Sequence, residues 1–206
     1  MNCSLRSGLK RYFDAKQLKL LSNTPVGIAG AGGIGSNVAM MLARSGLERL
    51  VIIDRDVIEP SNLNRQHYWP DQLGLAKVDA IATHLGNLNA NIALKSYNHE
   101  ISETSLCDIL PQAQIWVEAL DNAEIKKIFV EKALLAGCKV AAVSGIAGYG
   151  GQPMRKRKMG NLVVVGDFET DAGEAPTLAP RVIQAASLLA DTVLEFILGP
   201  KACNRE

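Results

Sequence analysis

Asn62, Asn64, Arg65 and Gln66 stand within the short segment Ser61-Asn62-Leu63-Asn64-Arg65-Gln66, and Lys77 follows a few residues later. Amides donate hydrogen bonds to phosphate oxygens. Arginine adds a planar fork and lysine a mobile point charge. Upstream, Gly30-Ala31-Gly32-Gly33-Ile34-Gly35 spells G-x-G-x-x-G between the apolar run Val26–Ala29 and helix-forming residues through Ser45. In such a turn the first glycine allows the sharp bend and the second a close backbone approach to phosphate. The third lets the helix pack tightly on the sheet. Phosphate then meets N–H groups at the positive end of the helix macrodipole. No Lys-Ser or Lys-Thr follows the glycines, so the turn is not a P-loop.

Asp54 ends the next apolar run, at the spacing where a carboxylate accepts hydrogen bonds from ribose hydroxyls. Taken alone, Gly30, Gly32, Gly33, Gly35 and Asp54 fit NAD as well as ATP, and Asp54 also fits a plain loop cap. The amide-rich loop separates the two cofactors. A dinucleotide's pyrophosphate is a spectator and needs no cluster of cations. An enzyme that breaks a triphosphate must neutralise charge as pyrophosphate leaves. The competing reading of Asn62, Arg65 and Gln66 is a solvated surface loop. Asp121-Asn122, directly after the run Gln114–Ala119, would likewise lie at the carboxyl edge of a sheet. A lone carboxylate there suits Mg²⁺, which takes one or two carboxylates besides phosphate oxygens. Asp and Asn also favour a helix N-cap, and the two roles are compatible.

These residues need a scaffold that brings strand ends together. Apolar runs at 26–29, 50–53, 114–119 and 139–144 alternate with helical patterns at 33–45, 76–88, 103–110 and 123–136; a weaker strand pattern covers 93–97. That rhythm predicts a doubly wound, Rossmann-like α/β sheet, mostly parallel. A helix is predicted over 9–22 ahead of the first strand. Beyond the glycine-rich 145–151 stretch, residues 154–167 read as extended, with antiparallel strands added near the C-terminus. Residues 177–198 read as a long helix with Thr177 as its cap. The expected organisation is one domain over 1–206, with a nucleotide-binding core at 25–150 and C-terminal strands and helix at 151–199.

Composition excludes several function classes. The 206 residues carry a formal net charge of +1, so bulk attraction to nucleic acid or to a membrane surface is not expected. No apolar run approaches the roughly 18 residues that cross a bilayer, and Met1–Asp14 lacks a signal-peptide core. A cytoplasmic location is expected. Cys3, Cys107, Cys138 and Cys203 form no C-x-x-C pair, so neither a disulfide framework nor a zinc site is expected. Cys138 reads as a buried small side chain. His67, His84 and His99 lack ligand spacing, and Arg155-Lys156-Arg157-Lys158 reads as a solvated basic face.

Together these residues resemble the ThiF/MoeB/HesA family, the bacterial relatives of ubiquitin-activating enzymes. The resemblance rests on Gly30–Gly35, Asp54-Arg55-Asp56, Ser61–Gln66, Lys77 and Leu120-Asp121-Asn122, and runs from about Val26 to Gly151. It implies ATP- and Mg²⁺-dependent adenylation of the C-terminal glycine carboxylate of a small ubiquitin-like sulfur-carrier protein, with pyrophosphate released. By the same resemblance Asp54 holds the ribose; Asn62, Arg65 and Lys77 hold the phosphates; and Asp121 holds Mg²⁺. Asp56, Asn64, Gln66 and Asn122 complete the nucleotide site. Arg11, in an Arg-Tyr pair like the family's, would reach the ATP of a partner subunit in a homodimer, although Phe13-Asp14 depart from the usual Arg-Gln. Two family features are missing: the paired C-x-x-C zinc ligands, and a cysteine in the crossover region of about 167–180. The short chain looks like the compact ThiF-like subgroup of thiamine biosynthesis, whose carrier is ThiS. The rival expectations are a dehydratase acting on a modified tRNA base, an NAD-dependent oxidoreductase, and a scaffold without turnover.

Overall fold

The apolar runs become the inner strands of one sheet because each is covered on both faces. The structure, a computed structural model, describes residues 4–200; Cys3 and Cys203 lie outside them. The strands are β1 (Val26–Ala29), β2 (Arg49–Ile53), β3 (Ala93–Tyr97), β4 (Ile115–Glu118), β5 (Lys139–Val143), β6 (Arg155–Met159) and β7 (Leu162–Gly166). Their order across the sheet is β3-β2-β1-β4-β5-β7-β6. All neighbours are parallel except β6 and β7, which form an antiparallel pair at one edge. The Rossmann-like, mostly parallel expectation therefore holds. The C-terminal antiparallel addition is β6 alone, since β7 runs parallel to β5.

Among the described residues the sheet is flanked by the α-helices α1 (Ser4–Leu9), α2 (Ala15–Asn23), α3 (Gly33–Arg44), α4 (Lys77–Leu88), α5 (Glu103–Ile109), α6 (Ala123–Leu135) and α7 (Ala179–Leu198). On one face α2, α3, α4 and α7 cover Val26, Ile28, Leu50, Ile52, Ile115 and Val117. On the other, α5 and α6 cover Ala29, Val51, Ile53, Trp116, Val140 and Ala142. Side chains alternate between the faces at the period of two that strands impose. In α7 the buried Val182, Ala185, Ala186, Leu189, Ala190 and Val193 form a single stripe at helical spacing.

Two elements differ from the sequence reading. The single helix expected over 9–22 is two helices with a turn at residues 10–14 between them. Asp14 starts the second with a capping box: its Oδ1 accepts from the Gln17 N–H at 2.8 Å, and Gln17 Oε1 accepts from the Asp14 N–H at 3.0 Å. An Asp-x-x-Gln box satisfies two end groups and so favours a new N-terminus over continuation. The last helix begins at Ala179 with Leu178 at its N-cap and Pro180 in its first turn. Thr177 does not cap it; its carbonyl accepts from Asn64 Nδ2 instead. The basic run 155–158 is β6, an exposed edge strand, where charge discourages pairing with other chains.

Trp116 is fully buried at the sheet's centre. Its ring meets Phe129 edge-on at 5.6 Å, and its Nε1 donates to the Ala113 carbonyl at 3.0 Å. Trp116→Ala should lower unfolding free energy by about 3–5 kcal/mol, and Trp116→Phe by less, in urea titrations followed by circular dichroism. Equal small losses in both variants would contradict this packing.

Candidate active site

In the order β3-β2-β1-β4-β5, chain direction across the sheet reverses between β1 and β4, and a crevice opens there beyond the strand ends. A cavity of about 730 Å³ occupies it. Its walls come from the turns after β1 (Gly30, Gly32, Gly33), β2 (Asp54, Asp56), β4 (Leu120, Asp121, Asn122) and β5 (Ser144, Gly145). A wider groove of about 910 Å³ lies nearby, between residues 150–154 and the first turns of α7. Its lining is mostly apolar, and its single charged residue, Arg181, is engaged by the protein itself. Anion chemistry therefore belongs to the smaller cavity.

The glycine turn positions the helix that faces this cavity. Gly30 has φ +95°, which side-chain-bearing residues rarely adopt, and a Cβ there would lie 2.6 Å from the Ala119 carbonyl oxygen. At Gly35 a Cβ would overlap the Gly30 carbonyl oxygen, so this glycine packs α3 against its own turn and does not line the cavity. Gly32 is the N-cap of α3 and no side chain caps the helix. The first-turn N–H groups are thus left to an anion.

The amide-rich loop is held to α3 from behind. Asn37 Nδ2 donates to the carbonyls of Gly33 at 2.7 Å and Arg65 at 3.0 Å. The His67 N–H donates to Ser36 Oγ at 3.0 Å, and the Tyr68 hydroxyl to the Ala31 carbonyl at 2.7 Å. Arg65 and Gln66 consequently line the cavity beside Gly32 and Gly33. Arg65 Nη1 is folded back onto the Ser61 carbonyl at 2.9 Å and Asn64 Oδ1 at 2.8 Å. Gln66 is buried, and its Oε1 has no hydrogen-bond partner among the described residues. An orphaned buried acceptor is a place for a ligand group.

Asn62 and Asn64 serve the loop and do not line the cavity. Buried Asn62 accepts from the Glu59 N–H through Oδ1 at 3.1 Å, and Asn64 ties the loop to Thr177. Asn122 caps α6, accepting from the N–H groups of Glu124 at 2.9 Å and Ile125 at 3.1 Å, and lines the cavity as well. Asp121 lines it with an exposed carboxylate that makes no hydrogen bond or ion pair with the other described residues. Such a carboxylate, open to solvent and near bound phosphates, fits the modest ligand demand of Mg²⁺. Arg11 lies in the exposed turn between α1 and α2 and does not line the cavity. Among the described residues no group of three or more His, Cys, Asp and Glu converges on a possible metal position.

The charges of the site neutralise one another. Lys77, with only 6% of its side chain exposed, donates to Asp56 Oδ2 at 2.7 Å. Asp54 Oδ2 accepts from the Ala31 N–H at 2.6 Å, and Oδ1 from the Asp56 N–H at 2.7 Å. Burial pushes the Asp54 carboxyl above its ordinary value; Lys77 and the two N–H donors pull the other way. The sequence reading missed Lys126, which lines the cavity from α6. It pairs with fully buried Glu118 at 3.2 Å and donates to the Val143 carbonyl at 3.0 Å. Its position one helical turn beyond Asn122 was the available signal. His99, set aside in the sequence, also lines the cavity, as do Thr170, Asp171 and Ala172 from the segment before α7.

The fold and this site define a doubly wound α/β protein whose crevice holds a glycine-turn helix N-terminus with cations around it, an arrangement suited to an anion. The ThiF family model matches residues 5–205, and the chain belongs to the ThiF family. It is 34% identical over 117 residues to ubiquitin-like modifier-activating enzyme 5 of Bombyx mori, 55% of this chain and 30% of that protein. Against the enzyme of the same name from Drosophila ananassae identity is 36% over 94 residues, 46% of this chain and 24% of that protein. The chain thus matches less than a third of the length of these curated relatives. Among solved structures, E. coli MccB with AMPCPP and MccA superposes with TM-score 0.73 at 26% identity, covering 95% of this chain and 64% of that one. E. coli tRNA N6-threonylcarbamoyladenosine dehydratase TcdA in complex with ATP superposes with TM-score 0.84, covering 93% of each chain; at 18% identity it shows a shared fold.

A carboxyl raised in the folded protein favours folding while protonated. This contribution of Asp54 is present below the ordinary value of 3.8 and is lost as pH climbs through the raised one. Urea titrations between pH 3 and pH 7 should therefore show Asp54→Asn gaining on the wild type as pH rises, the two being closest at the acid end. A constant difference across that range would contradict the burial of the Asp54 charge.

Proposed function

We propose that this protein transfers the adenylyl group of ATP to the C-terminal glycine carboxylate of a small ubiquitin-like sulfur-carrier protein ending in Gly-Gly. The observation that carries the proposal is the cavity's charge layout. Arg65, Lys77 and Lys126 line the cavity around an uncapped helix N-terminus, while Asp121 has no partner among the described residues. A carboxylate oxygen of the carrier attacks the α-phosphorus, the bond to the β-phosphate bridging oxygen breaks, and pyrophosphate leaves with its electrons. No proton need be moved. Arg65 swings from the Ser61 carbonyl and Lys77 from Asp56 onto the phosphates, each exchanging an internal partner for the ligand. Asp54 keeps the ribose hydroxyls as acceptors do, and Gln66 supplies its open Oε1. Bound Mg²⁺, held through Asp121, would offset charge on the departing pyrophosphate.

The reading takes residues 1–206 as one ATP-binding domain. It pairs two copies in a homodimer, with exposed Arg11 reaching the partner's cavity. The carrier is of the ThiS type, which places the reaction in thiamine biosynthesis and in the cytoplasm. No helix among the described residues is long and apolar enough to cross a membrane. The relatives support the class of chemistry. Some are named as activators of ubiquitin-like modifiers, and MccB was solved with a nucleotide and its peptide partner. A tRNA substrate, as TcdA's name states for that protein, draws no support from a net charge of +1. An NAD-dependent redox role leaves Arg65, Lys77, Lys126 and Asp121 without work.

Radiolabelled pyrophosphate should exchange into ATP only when a Gly-Gly-ending carrier is present. Arg65→Ala and Lys77→Ala should each slow that exchange by about 10²–10³-fold, and Arg65→Ala should leave thermal unfolding largely unchanged. Exchange that survives in Arg65→Ala, or none with any such carrier, would count against adenylation.

A further inference from the structure

Buried Arg181, in the first turn of α7, does not line the nucleotide cavity, yet its guanidinium makes three hydrogen bonds within the protein. Its Nη1 donates to the carbonyls of Gly150 and Gln152, both at 2.8 Å. Its Nη2 donates to Oδ2 of buried Asp167 at the end of β7. Asp167 in turn accepts through Oδ1 from the N–H groups of Glu169 and Thr170, both at 2.9 Å, and through Oδ2 from the Thr170 hydroxyl at 2.8 Å. The Ala147 N–H then donates to that hydroxyl at 3.1 Å. One ion pair thus fastens two loops: the glycine-rich stretch 145–152 and the start of the crossover at 169–172. Between them lies Phe168, the single non-glycine residue with positive φ among the described residues, at 67°. The tether holds the chain in a reversal that a bulky residue does not adopt unaided.

These two loops form one end of the cavity. Asp54, Asp56 and Lys77 stand on its β2 side and the α3 N-terminus at its centre. Ser144, Gly145, Ile146, Thr170, Asp171 and Ala172 wall it on the β5–β7 side. Residues 144–146 and 170–172 themselves include no cation and carry the Asp171 carboxylate, and the one neighbouring ammonium, Lys126, is held by the Val143 carbonyl and Glu118, so this wall does not suit phosphate. Its short side chains and backbone groups suit an extended, uncharged peptide tail instead. We infer that Arg181, acting through Asp167, is a positioning residue that holds this wall in register for the carboxylate-bearing substrate and not for ATP. The inference rests on the adenylation reading above for the identity of that substrate. The role of the ion pair as a tether stands on geometry alone.

The test is Arg181→Lys, which keeps a charge beside Asp167 and loses the fork to Gly150 and Gln152. Asp167→Asn, similar in volume, serves as the second variant should the first not fold. Amide deuteration should rise at least about fivefold in rate across 145–152 and 169–172, with β1, β4 and α3 unchanged. ATP affinity by calorimetry should stay within about twofold, while the KM for a Gly-Gly carrier rises at least about tenfold and kcat changes far less. Deuteration of the two loops at the wild-type rate in a folded variant would overturn the tether. ATP affinity falling by the same factor as the carrier KM rises would overturn its selectivity for the second substrate. A wild-type protein that turns over no carrier would count against the adenylation reading, and loop deuteration with ATP affinity would still decide the role of Arg181.

Discussion

The interaction on which the site depends is the one α3 leaves unmade. The helix begins on Gly32 with no side-chain cap, so its first N–H groups face the cavity. A helix end without partners is stable only if solvent or a ligand supplies them. The surrounding arrangement is an answer to that deficit. Gly30 and Gly35 let the helix start against the strand. Tyr68, Asn37 and Ser36 bind the amide-rich loop to it, and that loop brings Arg65 and Gln66 to the same opening. The nearby charges rest on partners of their own: Lys77 on Asp56, and Asp54 on the Ala31 N–H. Such partners keep an electropositive site from being left bare. They can also be exchanged for phosphate and ribose without leaving a buried charge unpaired, which would cost several kcal/mol, about 3–5 for a broken buried pair.

Much of this was legible in the sequence because it follows from short-range pattern. The alternation of apolar runs with helical stretches predicts a doubly wound, mostly parallel sheet with the glycine turn after β1, while the strand order itself came from the structure. Gly30, Asp54, Arg65, Gln66, Lys77, Asp121 and Asn122 all line the cavity because each follows a strand end, where loops must converge. What stayed hidden depends on contacts distant in the chain. Asn62 and Asn64 look like phosphate donors by type, yet one completes a loop cap and the other reaches Thr177. Lys126 becomes visible only when α6 is wound and Glu118 buried beneath it. The Arg181–Asp167 pair joins residues that carry no motif at all. The break before Asp14 was readable in principle, since Asp-x-x-Gln is a start signal, but the continuous apolar spacing through that region masked it.

Membership of the ThiF family gives the site its chemical class, and the departures give it individuality. The crossover that in many members carries a reactive cysteine here presents Thr170, Asp171 and Ala172 to the cavity. Of the cysteines within the described residues, Cys107 is exposed on α5 and Cys138 is buried beside β5, and neither lines the cavity. Among the described residues no thiol stands at the wall.

Whether the glycine turn, the loop cations and Asp121 together form a triphosphate site is tested most directly by calorimetric titration of the unmodified protein with ATP and Mg²⁺, beside a matched titration with NAD. Saturable ATP binding that weakens when Mg²⁺ is withheld is predicted, with NAD at least about tenfold weaker, or roughly 1.4 kcal/mol. NAD binding as tight as ATP, or ATP binding indifferent to Mg²⁺, would contradict a triphosphate site.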